Sequence, residues 1–222
     1  MREAIGQVLP QAVAAAISPF PIIGIVLMLV TPRARSNGPA FIVGWLVGLG
    51  VVGAIGLGVA NAAGATNHGT PSDGANGLQI VLGALLLILA VRQWRKRPRS
   101  GAEPSMPKWM DAVDHFTPLK AAGTGVLLSA ANPKNLVLVL SAAATIAATD
   151  LTGSDQVLAY VLFSVIASVG VVAPVVLFFT IGDRSRPVLD GLKTWLAQNN
   201  AAIMAVVFLV IGAKILGQGI AG

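Results

Sequence analysis

Six long apolar runs dominate this chain: Ala4–Val30, Pro39–Ala62, Gly77–Trp94, Pro118–Ala148, Gln156–Ile181 and Asn200–Gly217. A bilayer core about 30 Å thick needs roughly 20 helical residues, more where a helix tilts or breaks. Hydrocarbon offers the backbone no hydrogen bonds, so such runs must be helices or the strands of a closed barrel, and the period-two alternation of a barrel is absent. The sequence therefore predicts an all-α polytopic membrane protein with six transmembrane helices. Its charge content agrees, because 11% of residues are charged, where a soluble domain carries about 25%.

The basic residues set the predicted topology. Arg33 and Arg35 follow the first run, and Arg92 to Lys120 surround the connection after the third. Arg184, Arg186 and Lys193 follow the fifth. The second and fourth connections hold no Lys or Arg. Twelve of the fifteen basic residues thus fall on one side, which the positive-inside rule makes cytoplasmic. Both termini then face outward across a bacterial cytoplasmic (inner) membrane. Basic residues confined to loops between apolar runs argue against a nucleic-acid partner. The N-terminal run is read as a retained span rather than a signal peptide. Two cytoplasmic stretches, SMPKWMDAVDHF and RPVLDGLKTWLAQ, repeat apolar residues at helical spacing and predict short interfacial helices.

Two spans carry helix breakers in their middle. In the fourth, Asn132 precedes Pro133, a cap followed by a proline at the first helical position. The span is therefore expected to be two half-helices, 118–130 and 133–148. In the first, Ser18–Pro19 with Pro21 interrupts the run in the same way, 114 positions earlier (132 − 18). With three spans between them, the copies must have opposite orientations. The prediction is two inverted three-helix repeats with helices 1 and 4 broken: residues 1–94, a basic linker with an amphipathic helix at 95–117, and residues 118–222. In such transporters paired broken helices build a site near the bilayer midplane. Pro174 is a candidate kink in the fifth span.

A half-helix beginning at the midplane presents unpaired N–H groups and partial positive charge. Lys134 adds a full charge, at a cost of about 2.5–3.5 kcal/mol at a bilayer centre. All nine Asp and Glu residues lie at the ends of spans or in connections, so no intramembrane carboxylate stands ready as its partner. The reading is an anion-binding site whose partner comes from outside the protein, formed by Lys134, Asn132, Pro133 and Asn135 with Ser18, Pro19 and Pro21. Arg33, Arg35, Arg184 and Arg186 would attract anionic headgroups from the cytoplasmic leaflet. The competing readings are that Lys134 holds carbonyls freed at the break, and that the arginines serve topology alone. The glycines of the second span are assigned to close helix packing, with a homodimer surface as one use.

No cysteine and only two histidines are present. This excludes thiolate metal sites and disulfides, and predicts neither a metal nor a cofactor. No nucleophile–base pair or phosphate loop points to an enzyme.

The segments LVTPRARSNGPAFIVGWLVGLG, LKAAGTGVLLSAANPKNLVLVLSAAATI, VVAPVVLFFTIGDRSRPVLDGLKTWLAQNNAAI and VIGAKILGQGI resemble the GAP family. These are the peptidoglycolipid-addressing proteins, related to the sulfolipid-addressing protein within the lysine-exporter (LysE) superfamily. The resemblance runs over nearly the whole chain and implies six spans as inverted repeats. It also implies a part in moving glycolipids toward the surface of a lipid-rich cell envelope, beside an RND-type lipid exporter. The leading expectation is a transporter or export factor for anionic glycolipids or their precursors, with membrane lipids as its surroundings. A LysE-type exporter of an amino acid or organic anion is the first alternative. A non-transporting accessory subunit, docked through RQWRKRPRS, is the second.

Overall fold

A computed structural model describes residues 1–62, 73–95, 113, 115–151 and 153–221. Helices make up nearly all of it, and no strand occurs among these residues. In order they are α1 (Arg2–Ala16), α2 (Pro19–Leu29), α3 (Ala34–Ala62), α4 (Asp73–Arg95), α5 (Pro118–Val126), a π-turn (Leu127–Ala131), α6 (Pro133–Ala147), α7 (Ser154–Ile181), a 3-10 turn (Gly182–Ser185) and α8 (Arg186–Ala221).

Two segments are long and apolar enough by themselves to cross a membrane, Ala34–Ala62 and Ser154–Gly217. The count rises to four when each bent pair is one span: α1 with α2, bent by 48°, and α5 through the π-turn with α6, bent by 62°. The outward faces tell the same story. On α3, Val43, Val47, Val51, Ile55 and Val59 are each more than half exposed, while Phe41, Trp45 and Leu49 on the other side are fully buried. An apolar stripe outside a packed apolar interior matches a lipid solvent.

The described residues fall into two compact units, 1–66 with 106–195, and 67–105 with 196–222. In the larger, α5 packs along α3 and α1 along α7, with α6 against both α1 and α3. Glycines set these approaches. A Cβ on Gly44 would collide with the Ala122 carbonyl, one on Gly125 with the Phe41 carbonyl, and one on Gly170 with the Ala16 carbonyl. Side-chain hydrogen bonds join α3 to α7. Trp45 Nε1 donates to Ser168 Oγ at 3.1 Å, and Tyr160 donates its hydroxyl to the Leu49 carbonyl at 2.6 Å. In the smaller unit, Gly83 lies against the Leu216 backbone and Gly212 against Leu86.

Four glycines of the second span, Gly44, Gly48, Gly53 and Gly56, are taken up by contacts within the chain, whereas Gly50 and Gly58 face open space. The stretch 186–198 is not a separate interfacial helix. It forms the beginning of the 36-residue α8, burying Leu189 and Leu196 and exposing Val188 and Trp195. No breaker separates it from the run that follows, so the helix continues. Its counterpart SMPKWMDAVDHF lies outside the described residues except for Val113, His115 and Phe116. Helix α7 runs through Pro174 without interruption.

Candidate functional site

The two breaks are built by similar chemistry, and among the backbone carbonyls that each leaves without a helical partner is one taken up by a side chain. At the end of α1, the amide of Ile17 bonds Val13 and that of Ser18 bonds Ala15, so the Ala14 carbonyl is skipped. After α5, the amide of Asn132 reaches back to Leu127, and Pro133 has no N–H to offer the next carbonyl, that of Leu128. Ala14 lies four residues before Ser18, and Leu128 four before Asn132. A carbonyl left bare in hydrocarbon costs several kcal/mol.

Two adjacent residues of the Asn132–Asn135 stretch satisfy both carbonyls. Lys134 Nζ donates to the Ala14 carbonyl at 2.8 Å, and Asn135 Nδ2 donates to the Leu128 carbonyl at 2.8 Å. The side chain of Lys134 therefore spans from one broken helix to the other. It also places a positive charge at the C-terminal, partially negative end of α1. An ammonium carries three donors, and this bond to Ala14 is the one partner it has among the described residues.

The remaining predicted residues divide. Asn132 caps α6, its Oδ1 accepting from the Lys134 amide at 3.1 Å. Ser18 has the extended backbone of a cap, with Pro19 next to it, but its hydroxyl makes no capping bond although it is buried. Pro19 and Pro21 are buried at the start of α2, and Pro133 is exposed. Asn135 is fully enclosed, and its Oδ1 has no hydrogen-bond partner. Ser129, within the π-turn and fully buried, turns its hydroxyl back onto the Gly125 carbonyl at 2.9 Å. Arg33, Arg35, Arg184 and Arg186 are all exposed. Only Arg35 and Arg186 line a common cavity, and the Arg186 guanidinium holds Asp183 at 2.9 Å.

Ala14, Leu128 and Gly170 were not singled out from the sequence. A signal for the first two existed: a proline one place beyond a cap frees a carbonyl about one turn before it. Gly170 carried no such mark, because its role depends on which helix α1 meets.

Two sharply bent helix pairs, apolar outside and joined inside by a buried lysine, mark an α-helical membrane protein. The family model described as Sap, sulfolipid-1-addressing protein, matches residues 8–221. The chain belongs to this family, in agreement with the GAP resemblance. No curated protein and no solved structure matches it.

Proposed function

We propose that this protein moves anionic glycolipids, or precursors of them, across the cytoplasmic membrane toward the cell envelope. The observation that carries the reading is the bond from Lys134 to the Ala14 carbonyl. A buried cation at the meeting point of two helix breaks is held by a neutral acceptor, which an anionic headgroup outbids electrostatically. Arrival of a sulfate, phosphate or carboxylate would draw Lys134 from Ala14, free the end of α1 and loosen the bend between α1 and α2. Membership in the sulfolipid-1-addressing family supports an anionic glycolipid as the cargo. The protein makes and breaks no covalent bond in this scheme, and acts as a carrier rather than an enzyme.

The architecture supports an inverted repeat. Each broken helix packs on the long helix of the opposite half, α1 on α7 and α5 on α3. In this reading α4 and the apolar part of α8 complete six spans of the LysE kind, with both termini outside and the breaks near the midplane. An RND-type exporter is the partner that would receive the lipid, and a homodimer is compatible with the free outer face of α3.

The test is native mass spectrometry of gently purified protein, wild type against Lys134→Met. Wild type is expected to retain an anionic glycolipid that the variant loses. Equal retention by both, or by neither, overturns the exchange at Lys134 and favours the non-transporting accessory role.

A further inference from the structure

A second place on the larger unit has the chemistry of a ligand site, away from the Lys134 bond. Where α2 ends and α3 begins, the chain faces the end of α7 and the 3-10 turn across a cavity of about 420 Å³. That volume falls within the usual range for small-molecule sites. Leu29, Phe178 and Phe179 line its apolar part, and Arg35, Asp183 and Arg186 its polar part. Leu29 and Phe178 are buried, whereas Phe179 is about half exposed. The wall therefore passes from the packed interior to the outer apolar surface of α7. Gly182, at φ +57, permits the turn that brings Asp183 and Arg186 round to this cavity.

We propose that this cavity binds an amphiphile headed by a tetrahedral oxyanion, with the anion on Arg35 and Arg186 and the acyl chain along Phe178 and Phe179. Two guanidiniums against one carboxylate leave a net positive charge, and the planar donor fork of Arg suits phosphate or sulfate oxygens. The pair between Arg186 and Asp183 is exposed on both sides, so little is lost when the guanidinium turns to a ligand. Asp183 can then accept from a hydroxyl of the headgroup. The Arg35 guanidinium comes from the first turn of α3 and that of Arg186 from the first residue of α8, so the site forms only when both helix starts are in place. Arg33 and Arg184, equally basic and also exposed, do not line it. This site goes beyond the exchange at Lys134 and does not depend on it.

The same chemistry could come from a lipid or from free phosphate, and one experiment separates them. The full-length protein in detergent is titrated with phosphatidic acid, with diacylglycerol of the same chains, and with inorganic phosphate, and bound ligand is read by native mass spectrometry. The expected result is phosphatidic acid binding that weakens about tenfold or more in Arg35→Gln/Arg186→Gln. It should be unchanged in Arg33→Gln/Arg184→Gln, which removes equal charge outside the cavity, and diacylglycerol should bind poorly throughout. Equal loss in both arginine pairs would reduce the effect to general surface charge and overturn the proposal. Inorganic phosphate binding as tightly as the lipid would overturn the amphiphile assignment. Loss in Lys134→Met with the Arg35/Arg186 pair unaffected would overturn this site while leaving the exchange at Lys134 standing.

Discussion

The ammonium of Lys134 and the carbonyl of Ala14 lie 120 positions apart in the chain and 2.8 Å apart in space. The bond satisfies an acceptor that the first helix break leaves open, using the residue two places beyond the cap of the second. The bend between α1 and α2 is thereby tied to the bend between the π-turn and α6.

Replacing Lys134 with Met leaves the Ala14 carbonyl open but also removes a buried cation. The first costs about 1–3 kcal/mol, and the second relieves a comparable burden of about 2.5–3.5 kcal/mol at a membrane centre. The overall melting temperature should therefore move little, while the last turn of α1 loosens. Hydrogen exchange is expected to speed up at the Ile17 and Ser18 amides by roughly five- to 150-fold, with the amides of α5 unaffected. Unchanged exchange at Ile17 and Ser18 would show that the bond does not hold the break.

The two caps should behave unequally. Asn132 Oδ1 accepts from the Lys134 amide, whereas the Ser18 hydroxyl caps nothing. Asn132→Ala is expected to destabilise by about 1 kcal/mol, and Ser18→Ala by no more than a few tenths. Denaturant unfolding of the two variants in the same detergent checks this, and an equal loss would contradict the assigned geometry.

Glycine substitutions should sort by what lies opposite. At Gly44 and Gly170 a Cβ meets backbone carbonyls, while at Gly50 it meets nothing within 4 Å. Gly44→Ala and Gly170→Ala are expected to lose about 1–3 kcal/mol through overpacking. Gly50→Ala should gain about 0.5–1 kcal/mol from helix propensity. Thermal unfolding of the three variants gives the order directly.

Trp45 and Ser168 join α3 to α7 through a buried hydrogen bond. A double-mutant cycle of Trp45→Phe and Ser168→Ala is expected to return a coupling of about 0.6 kcal/mol, typical of such bonds between membrane helices. A coupling near zero would mean the contact is packing alone.

Much of the fold was legible because breakers are written in letters. Asn132–Pro133 and Ser18–Pro19 mark the bends that the structure contains. The π-turn at Leu127–Ala131 was not visible, since Leu, Ser and Ala are compatible with an ordinary helix. The partner of Lys134 was hidden for a different reason. The absence of carboxylates in the spans points outside the protein, and the competing reading points to a carbonyl freed at Lys134's own break. The acceptor is a backbone carbonyl, but that of Ala14 at the other break, which no letter distinguishes from its neighbours. The interfacial helix expected at 186–198 merged into α8 because periodicity alone cannot say where one helix ends when no breaker follows. The pairing of Arg35 with Arg186 around one cavity depends on the meeting of segments from opposite ends of the chain, which composition does not encode.

The reach of Lys134 also bears on how the chain is made. At about 5–20 residues per second, the 120 positions between Ala14 and Lys134 correspond to roughly 6–24 seconds of synthesis. Throughout that interval the end of α1 exists without the ammonium that completes its Ala14 carbonyl. A nascent chain must therefore shelter that turn with water, lipid headgroups or the insertion machinery until α6 arrives. The bend between α1 and α2 acquires its finished shape late, by an act of the second half of the protein.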